Sequence, residues 1–182
     1  MPKEEVPLNR ALRLINSGPV VLVTAAAKGR MTVMAAAWAT PVSSAPPLVV
    51  VAIHPARFTH ELIQKSGEFV LNIPHADLAK KVNYCGSVSG RDHDKFKEAG
   101  LTPVEAKKVG APWIAECIGH LECGVVEAYV TGDHTLFVGQ VLAVWVESGT
   151  FDRVWLVGKE EARLLHHLGG NFYCVSTERL EL

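Results

Sequence analysis

Residues 34–54, MAAAWATPVSSAPPLVVVAIH, constrain the fold more than any other stretch. They read as a strand end, a polar turn, a double proline and then an apolar run. Ala35, Ala36, Ala37 and Ala39 carry so little side chain that a flat ligand or another backbone can approach closely. Thr40, Ser43 and Ser44 place hydroxyls in a loop whose backbone N–H groups are expected to be free. Pro41, Pro46 and Pro47 stiffen that loop by fixing φ and removing donors. The run at 48–53 is apolar throughout, the pattern of a strand buried on both faces. The residues alone fit two readings: a preformed cradle for a planar cofactor, or a stiff connection between strands.

The rest of the chain supplies more strands. Residues 20–24 are β-branched and apolar, Lys28-Gly29-Arg30 is a hairpin turn, and 31–38 return. Residues 69–73 form a strand ended by Pro74. Further strands are expected at 113–117, 120–130, 135–146 and 151–156, with Gly132-Asp133-His134 as a turn. Gly139 inside the last long strand marks a bulge or a close approach. Helices are few and short. Residues 8–15 have apolar positions at 8, 11, 12 and 15, a helical spacing stopped by Asn16-Ser17-Gly18-Pro19. A second helix carries Phe58, Leu62 and Ile63, with Thr59 as a cap near its start and Gly67 at its end. A third covers 77–84, and Asp92 or Asp94 caps the one that carries Lys95 and Phe96. Strands joined by hairpins, without βαβ alternation and without a G-x-G-x-x-G turn, predict a mainly β antiparallel barrel with short peripheral helices.

A chain of 182 residues that is 48% hydrophobic and 20% charged can bury a real core, and residues 1–182 are expected to form a single domain. Its net charge of −1 carries no basic excess, which argues against a nucleic-acid partner. No apolar run approaches the ~18–20 residues needed to span a membrane. The charged start lacks the apolar core of a signal peptide, so a cytoplasmic protein is expected. Cys85, Cys117, Cys123 and Cys174 form no C-x-x-C pair, so no metal site is expected and the thiols are reduced. Cys117 and Cys174 sit among apolar neighbours and read as core. Cys85, beside Gly86 and Ser87, reads as a loop thiol whose reactivity depends on its environment.

Two places carry polar chemistry suited to an anion. Arg57 and Thr59 bring a cation, a hydroxyl and free helix N–H groups together, which suits a phosphate as well as it suits ordinary capping beside a surface Arg. The loop CGSVSGRDHDKF offers Ser87, Ser89, Gly90, Arg91 and Lys95, but it lacks the Walker spacing and on local chemistry alone reads as solvated. No G-x-S-x-G elbow supports a serine hydrolase. His166 and His167 are adjacent and point apart. His134, after a Gly-Asp turn at the mouth of the last long strand, can donate to a ligand or be satisfied by backbone.

In order, these pieces are WATPVS-x-x-PPLVVVAI, RFTHELI, FVLNIP, SGRDHDKF, GDHTLFVGQV and a Gly-Gly-x-x-Tyr tail. Together they resemble the flavin-reductase-like, FMN-binding split-barrel proteins, the group that includes flavoredoxins and short-chain flavin reductases, over residues 18–173. The resemblance implies a six-stranded antiparallel Greek-key split β-barrel that forms a homodimer, with FMN near the subunit interface. It puts Trp38, Ala39, Thr40, Pro41, Val42 and Ser43 along the flavin ring and ribityl chain. It puts Arg57 and Thr59 at the phosphate, with Ser87, Ser89, Gly90, Arg91 and Lys95 adding to them. His134 would lie over the flavin as the catalytic residue, and Tyr173, with His166 or His167, would form part of the wall. The implied activity is hydride or electron transfer through bound flavin. The donor would be NADH, NADPH or an electron-carrier protein. Alternatives are reduction of ferric complexes, with Cys85 nearby, and a flavin-binding barrel without catalysis. Two places depart from the family pattern: Thr32 stands where many members carry Asn, and the tail reads Gly169-Gly170-Asn171-Phe172-Tyr173 in place of Arg-Gly-x-Tyr.

Overall fold

The structure is a computed structural model that describes residues 3–181. Strands β1 (Val21–Ala27) and β2 (Arg30–Ala36) form a hairpin. Its two turn residues, Lys28 and Gly29, have φ of 50° and 73°. Positive φ at both positions matches the right-handed twist of the flanking strands. Strands β3 (Ala39–Ser44) and β4 (Pro47–Ile53) follow, then helix α1 (Phe58–Ser66), β5 (Glu68–Ile73), α2 (Ala79–Ser87) and α3 (Lys95–Ala99). The long strands β6 (Gly119–Thr131) and β7 (His134–Val146) come next, and the chain closes with β8 (Leu165–Gly169) and β9 (Phe172–Val175).

The main sheet is antiparallel with seven strands in the order β2-β1-β5-β6-β7-β4-β3. Its two end strands, β2 and β3, are consecutive in the chain, and only Ala37 and Trp38 separate them. That connection reaches about 11 Å at most. The sheet therefore has to curl until its ends meet, which makes a barrel split at Ala37-Trp38. The expected split barrel is present, with one strand more than expected. The extra strand is 39–44, which the sequence presents as a loop. It pairs with β4, with a register shift between Pro41 and Ser43. Pro41 is tolerated because β3 is an edge strand, where a missing N–H breaks no ladder.

Other expectations need correction. β4 is not buried on both faces: Val49, Val51 and Ile53 point inward, while Leu48, Val50 and Ala52 are half-buried outside. The strand expected at 113–117 is only Trp113–Ile114, and 151–156 is a tight pair, Phe151–Asp152 with Val154–Trp155, turning at Arg153 with φ of 55°. Cys85 lies in α2, not in a loop, and Cys174 is exposed because the last strand covers only one side of the barrel. Residues Leu8–Leu14 do wind helically, as a 3-10 helix with no buried residue.

The barrel interior holds Val21, Val23, Val51, Ile53, Phe69 and Phe137, and α1 adds Phe58, Leu62 and Ile63. Burying each such side chain stabilises the fold by roughly 1.5–3 kcal/mol. Leu22 and Val33 face the other way and pack with Val82, Cys85, Phe96 and Leu165, so α2, α3 and β8 cover the outside of the first hairpin. Gly139 is both a bulge and a close approach. The register shifts beside it, and a Cβ there would lie 2.5 Å from Cζ of Phe69. Among the described residues no helix is long and apolar enough to cross a membrane.

Candidate functional site

The split between β2 and β3 cannot be filled by a sheet ladder, and three clefts open around it. The first, about 300 Å³, lies between the start of α1, the end of α2 and the start of α3. Arg57, Thr59, Ser89, Gly90 and Lys95 all line it. Lys95 opens α3, where the Asp94 carboxylate caps the helix by accepting from the Lys97 N–H at 3.2 Å. Its side chain is only 5% exposed and its Nζ donates to the Cys85 carbonyl at 2.8 Å. Among the described residues it pairs with no carboxylate. Desolvation lowers its pKa to about 8; Cys85 opposes this and Arg57 adds to it. A buried ammonium held by one carbonyl is an anion site in waiting, because leaving it unpaired costs free energy.

The neighbours complete that cradle. Arg57 is the N-cap of α1 and makes no side-chain cap bond; the His60 N–H donates to the Arg57 carbonyl at 3.1 Å, and the Phe58 and Thr59 N–H groups precede the first intrahelical bond. Thr59 is 1% exposed and lines the cleft. A Cβ on Gly90 would lie 3.1 Å from Thr32 Cβ and 3.2 Å from Phe58 Cδ1, so the loop passes there only as glycine. Thr59 is not the cap the sequence suggests; it lies in the first turn of α1 and lines the same cleft as the buried Lys95.

Arg91 has a different placement. Its guanidinium donates to the Ala56 carbonyl at 2.8 Å and to the Glu61 carboxylate at 2.9 Å. It ties the 88–94 loop to α1 and is not among the residues lining the cleft. Ser89 Oγ accepts from the Arg91 N–H at 3.2 Å, which shapes the same loop. Cys85 lines the first cleft, yet burial pushes its thiol up to about 11 against the pull of Lys95 and Lys81. It stays a protonated thiol at neutral pH and is a poor nucleophile.

The second cleft, about 460 Å³, shares Met34, Ala35, His54 and Arg57 with the first. Ala35, Ala36 and Ala37 give it a shallow, small-residue wall, and Trp38 and His134 stand beside it. His134 begins β7, with its Nδ1 2.7 Å from the Asp133 carboxylate. That contact holds the Asp133 carboxyl below its ordinary value. The His134 ring lies 4.8 Å from Trp38 and 5.5 Å from His54, centroid to centroid. The third cleft, about 260 Å³, is lined by Ser87, His167 and Tyr173 among others. The Tyr173 hydroxyl donates to Asn83 Oδ1 at 3.2 Å. His167 is the tail histidine that faces these clefts; His166 turns to Ser176, 2.6 Å from its hydroxyl.

The structure thus gathers ten of the candidate residues around one continuous opening: Trp38, Arg57, Thr59, Ser87, Ser89, Gly90, Lys95, His134, Tyr173 and, from the tail, His167. Ala39 and Thr40 line an apolar hollow with Leu12, Val50 and Leu136, which meets the second cleft at Ala37, Trp38 and Ala52. Pro41, Val42 and Ser43 run on along the exposed edge of β3, outside the linings of these clefts. The wall comes instead from residues 34–37, just before the loop that drew attention in the sequence. The signal was present in the alanine run, but only the position of the split shows which end of the stretch faces inward. His54 and Arg13 also line the second cleft, and nothing local marks them.

Comparison with known proteins gives a consistent result. The model of the Flavin reductase like domain matches residues 13–171. An uncharacterized protein of Archaeoglobus fulgidus is 43% identical over 82% of this chain and 84% of its own length. An NADH-dependent flavin reductase of a Rhodococcus species is 28% identical over 85% of this chain and 89% of its own. Among solved structures, the flavoredoxin of Desulfovibrio vulgaris (Miyazaki F) superposes with a TM-score of 0.87 at 27% identity, covering 100% of this chain and 97% of that one. The FMN-binding protein of Thermus thermophilus, solved with bound 1-cyclohex-2-enone, gives 0.82 at 29% identity over 100% of this chain and 99% of that one.

Proposed function

The chain belongs to the flavin reductase like domain family, and from that premise we propose that it is an FMN-dependent oxidoreductase whose cofactor lies along the first two clefts. The observation that carries the reading is Lys95: a buried cation that pairs with no carboxylate among the described residues, in one cleft with Arg57, Thr59 and the start of α1. These groups fit a phosphate dianion. The alanine wall at Ala35, Ala36 and Ala37 continues from them and fits a planar ring system.

When bound, FMN supplies a carrier that accepts a hydride from a dihydronicotinamide and can release electrons in pairs or singly. The chain's own residues bind, orient and exclude water. Lys95, Arg57 and Thr59 hold the phosphate, and Ser87, Ser89, Gly90 and Arg91 shape the loop that closes over it. Trp38 and Tyr173 wall the opening. With Nδ1 of His134 tied to Asp133, Nε2 is the nitrogen left to face a ligand. NADH or NADPH is the proposed electron donor, supported by the likeness to the Rhodococcus reductase; a carrier protein is the alternative. The proposed assembly is a homodimer.

Titration of the purified chain with FMN, followed by quenching of flavin fluorescence, tests the reading. FMN is expected to quench, and Lys95→Met is expected to weaken it by about ten- to a hundredfold while leaving riboflavin, which lacks the phosphate, unchanged. Absence of quenching in the wild type sinks the flavin reading. Given FMN binding, failure to oxidise NADH and NADPH above background removes the nicotinamide donor and leaves the protein donor.

A further inference from the structure

We propose that Lys95 is a site of acylation by a small acyl phosphate, and that the modification closes the first cleft to FMN. The proposal deepens the FMN reading, since the amine it modifies is the one that reading sets at the phosphate.

Lys95 is placed unlike a surface lysine. It is 5% exposed, yet it lines a cleft of about 300 Å³. A reagent that enters the cleft meets the amine, while bulk water has little access to it. Among the described residues Nζ has one hydrogen-bond partner, the Cys85 carbonyl at 2.8 Å. A carbonyl needs only an N–H, so a neutral amine keeps this bond and still carries a lone pair. A carboxylate partner would hold the amine as an ammonium, and neither Asp nor Glu lines the cleft. Desolvation lowers the pKa to about 8, with Cys85 opposing and the nearby Arg57 charge assisting. At pH 7 about a tenth of the side chain is then the nucleophilic free base, far more than for a lysine in water. Cys85 lines the same cleft, but burial pushes its thiol up to about 11 and keeps it protonated.

The same cleft has a seat for the leaving group. Arg57, Thr59 and the first N–H groups of the nine-residue helix α1 lie along its lining and suit a phosphate. An acyl phosphate seated there has its acyl end beside Nζ. The ammonium first gives one proton to water. The free amine then attacks the carbonyl carbon, a C–N bond forms, and the bond from that carbon to the phosphate oxygen breaks. Phosphate leaves with the electron pair, and the nitrogen releases a second proton. The product is a neutral amide, bulkier by one acyl group, where the FMN phosphate would meet a cation.

The test incubates the full chain, freed of flavin, with acetyl phosphate at neutral pH and follows each acetylated position by peptide mass spectrometry. Lys95 is expected to react at least about tenfold faster than the exposed Lys28 and Lys80. Acetyl N-hydroxysuccinimide ester, which carries no phosphate, is expected to show a severalfold smaller preference. Inorganic phosphate and FMN should each protect Lys95 and leave Lys28 unprotected. In partly acetylated samples the fraction of chains that quench FMN should fall in step with acetylation at Lys95, with riboflavin unchanged. The proposal is overturned if Lys95 reacts no faster than Lys28 and Lys80, if the phosphate-free ester shows the same preference, or if chains acetylated at Lys95 bind FMN normally. If the wild type binds no FMN but Lys95 is acetylated selectively and phosphate protects it, the flavin reading fails and the acylation site stands.

Discussion

At the scale of single residues, burial decides the chemistry more than residue type does. Lys95 and Arg91 read alike in the sequence, as cations of one polar loop. Lys95 turns inward beneath α2 and Arg91 outward onto Glu61. His120 makes the same point for titration. It stacks on Trp113 with ring centroids 4.9 Å apart, and its Nδ1 donates to Asn72 Oδ1 at 2.9 Å. Desolvation lowers its pKa from 6.5 to about 4, against the opposing pull of Glu122 and a bond with the Cys117 backbone. The unfolded chain therefore takes up this proton near pH 6.5 and the folded chain only near pH 4. Between those values the unfolded state holds more protons, so stability falls as pH falls through that window, by about 3 kcal/mol in full. Urea denaturation from pH 7 to pH 4 should show this loss, and His120→Gln should flatten it. An unchanged slope in the variant would assign the pH dependence elsewhere.

At the scale of elements, the outside of the barrel is held by one buried carboxylate. Glu122 on β6 is fully buried, and four N–H groups donate to it: Lys107 at 3.1 Å, Lys108 at 2.5 Å, Trp113 Nε1 at 3.0 Å and Trp145 Nε1 at 2.9 Å. Desolvation pushes its pKa up, but those donors outweigh it and hold the carboxyl ionised. Residues 105–112, an irregular stretch in the sequence, are thereby clasped to β6 and β7. Glu122→Gln sets an NH₂ against at least one of the donors and should cost about 2 kcal/mol. It should also make the 105–112 segment more sensitive to limited proteolysis. Wild-type stability and cleavage pattern in the variant would show that the clasp is dispensable. Short elements were where sequence periodicity misled: β3 has three hydroxyls and a proline in six residues and carries no strand pattern of its own. It is a strand because β4 offers it an edge.

At the scale of the whole molecule, the barrel leaves apolar surface uncovered. Val126, Tyr129 and Val130 on β6 and Leu142, Val144, Trp145 and Val146 on β7 are all exposed. The hollow of about 530 Å³ at Leu12, Trp38, Val50 and Leu136 adjoins the split. Apolar surface exposed on this scale suits an interaction, and a twofold copy is the commonest cover. Light scattering should give twice the 19.7 kDa chain mass. A monomer at micromolar concentration would mean that the uncovered faces meet something else or nothing.

Local patterning by itself determined most of the strands, the Lys28-Gly29 turn, the bulge at Gly139, the helix behind Phe58, and the family resemblance that points to a flavin. Those features depend on neighbours in sequence: β-branched runs, positive φ, helical spacing and motif order. The tertiary structure alone decided that 39–44 is an edge strand, that residues 34–37 rather than 41–43 line the opening, that His167 rather than His166 faces it, and that Lys95 is buried. Each of these depends on a contact between distant parts of the chain, and burial and unpaired charge are properties of such contacts rather than of any window of sequence.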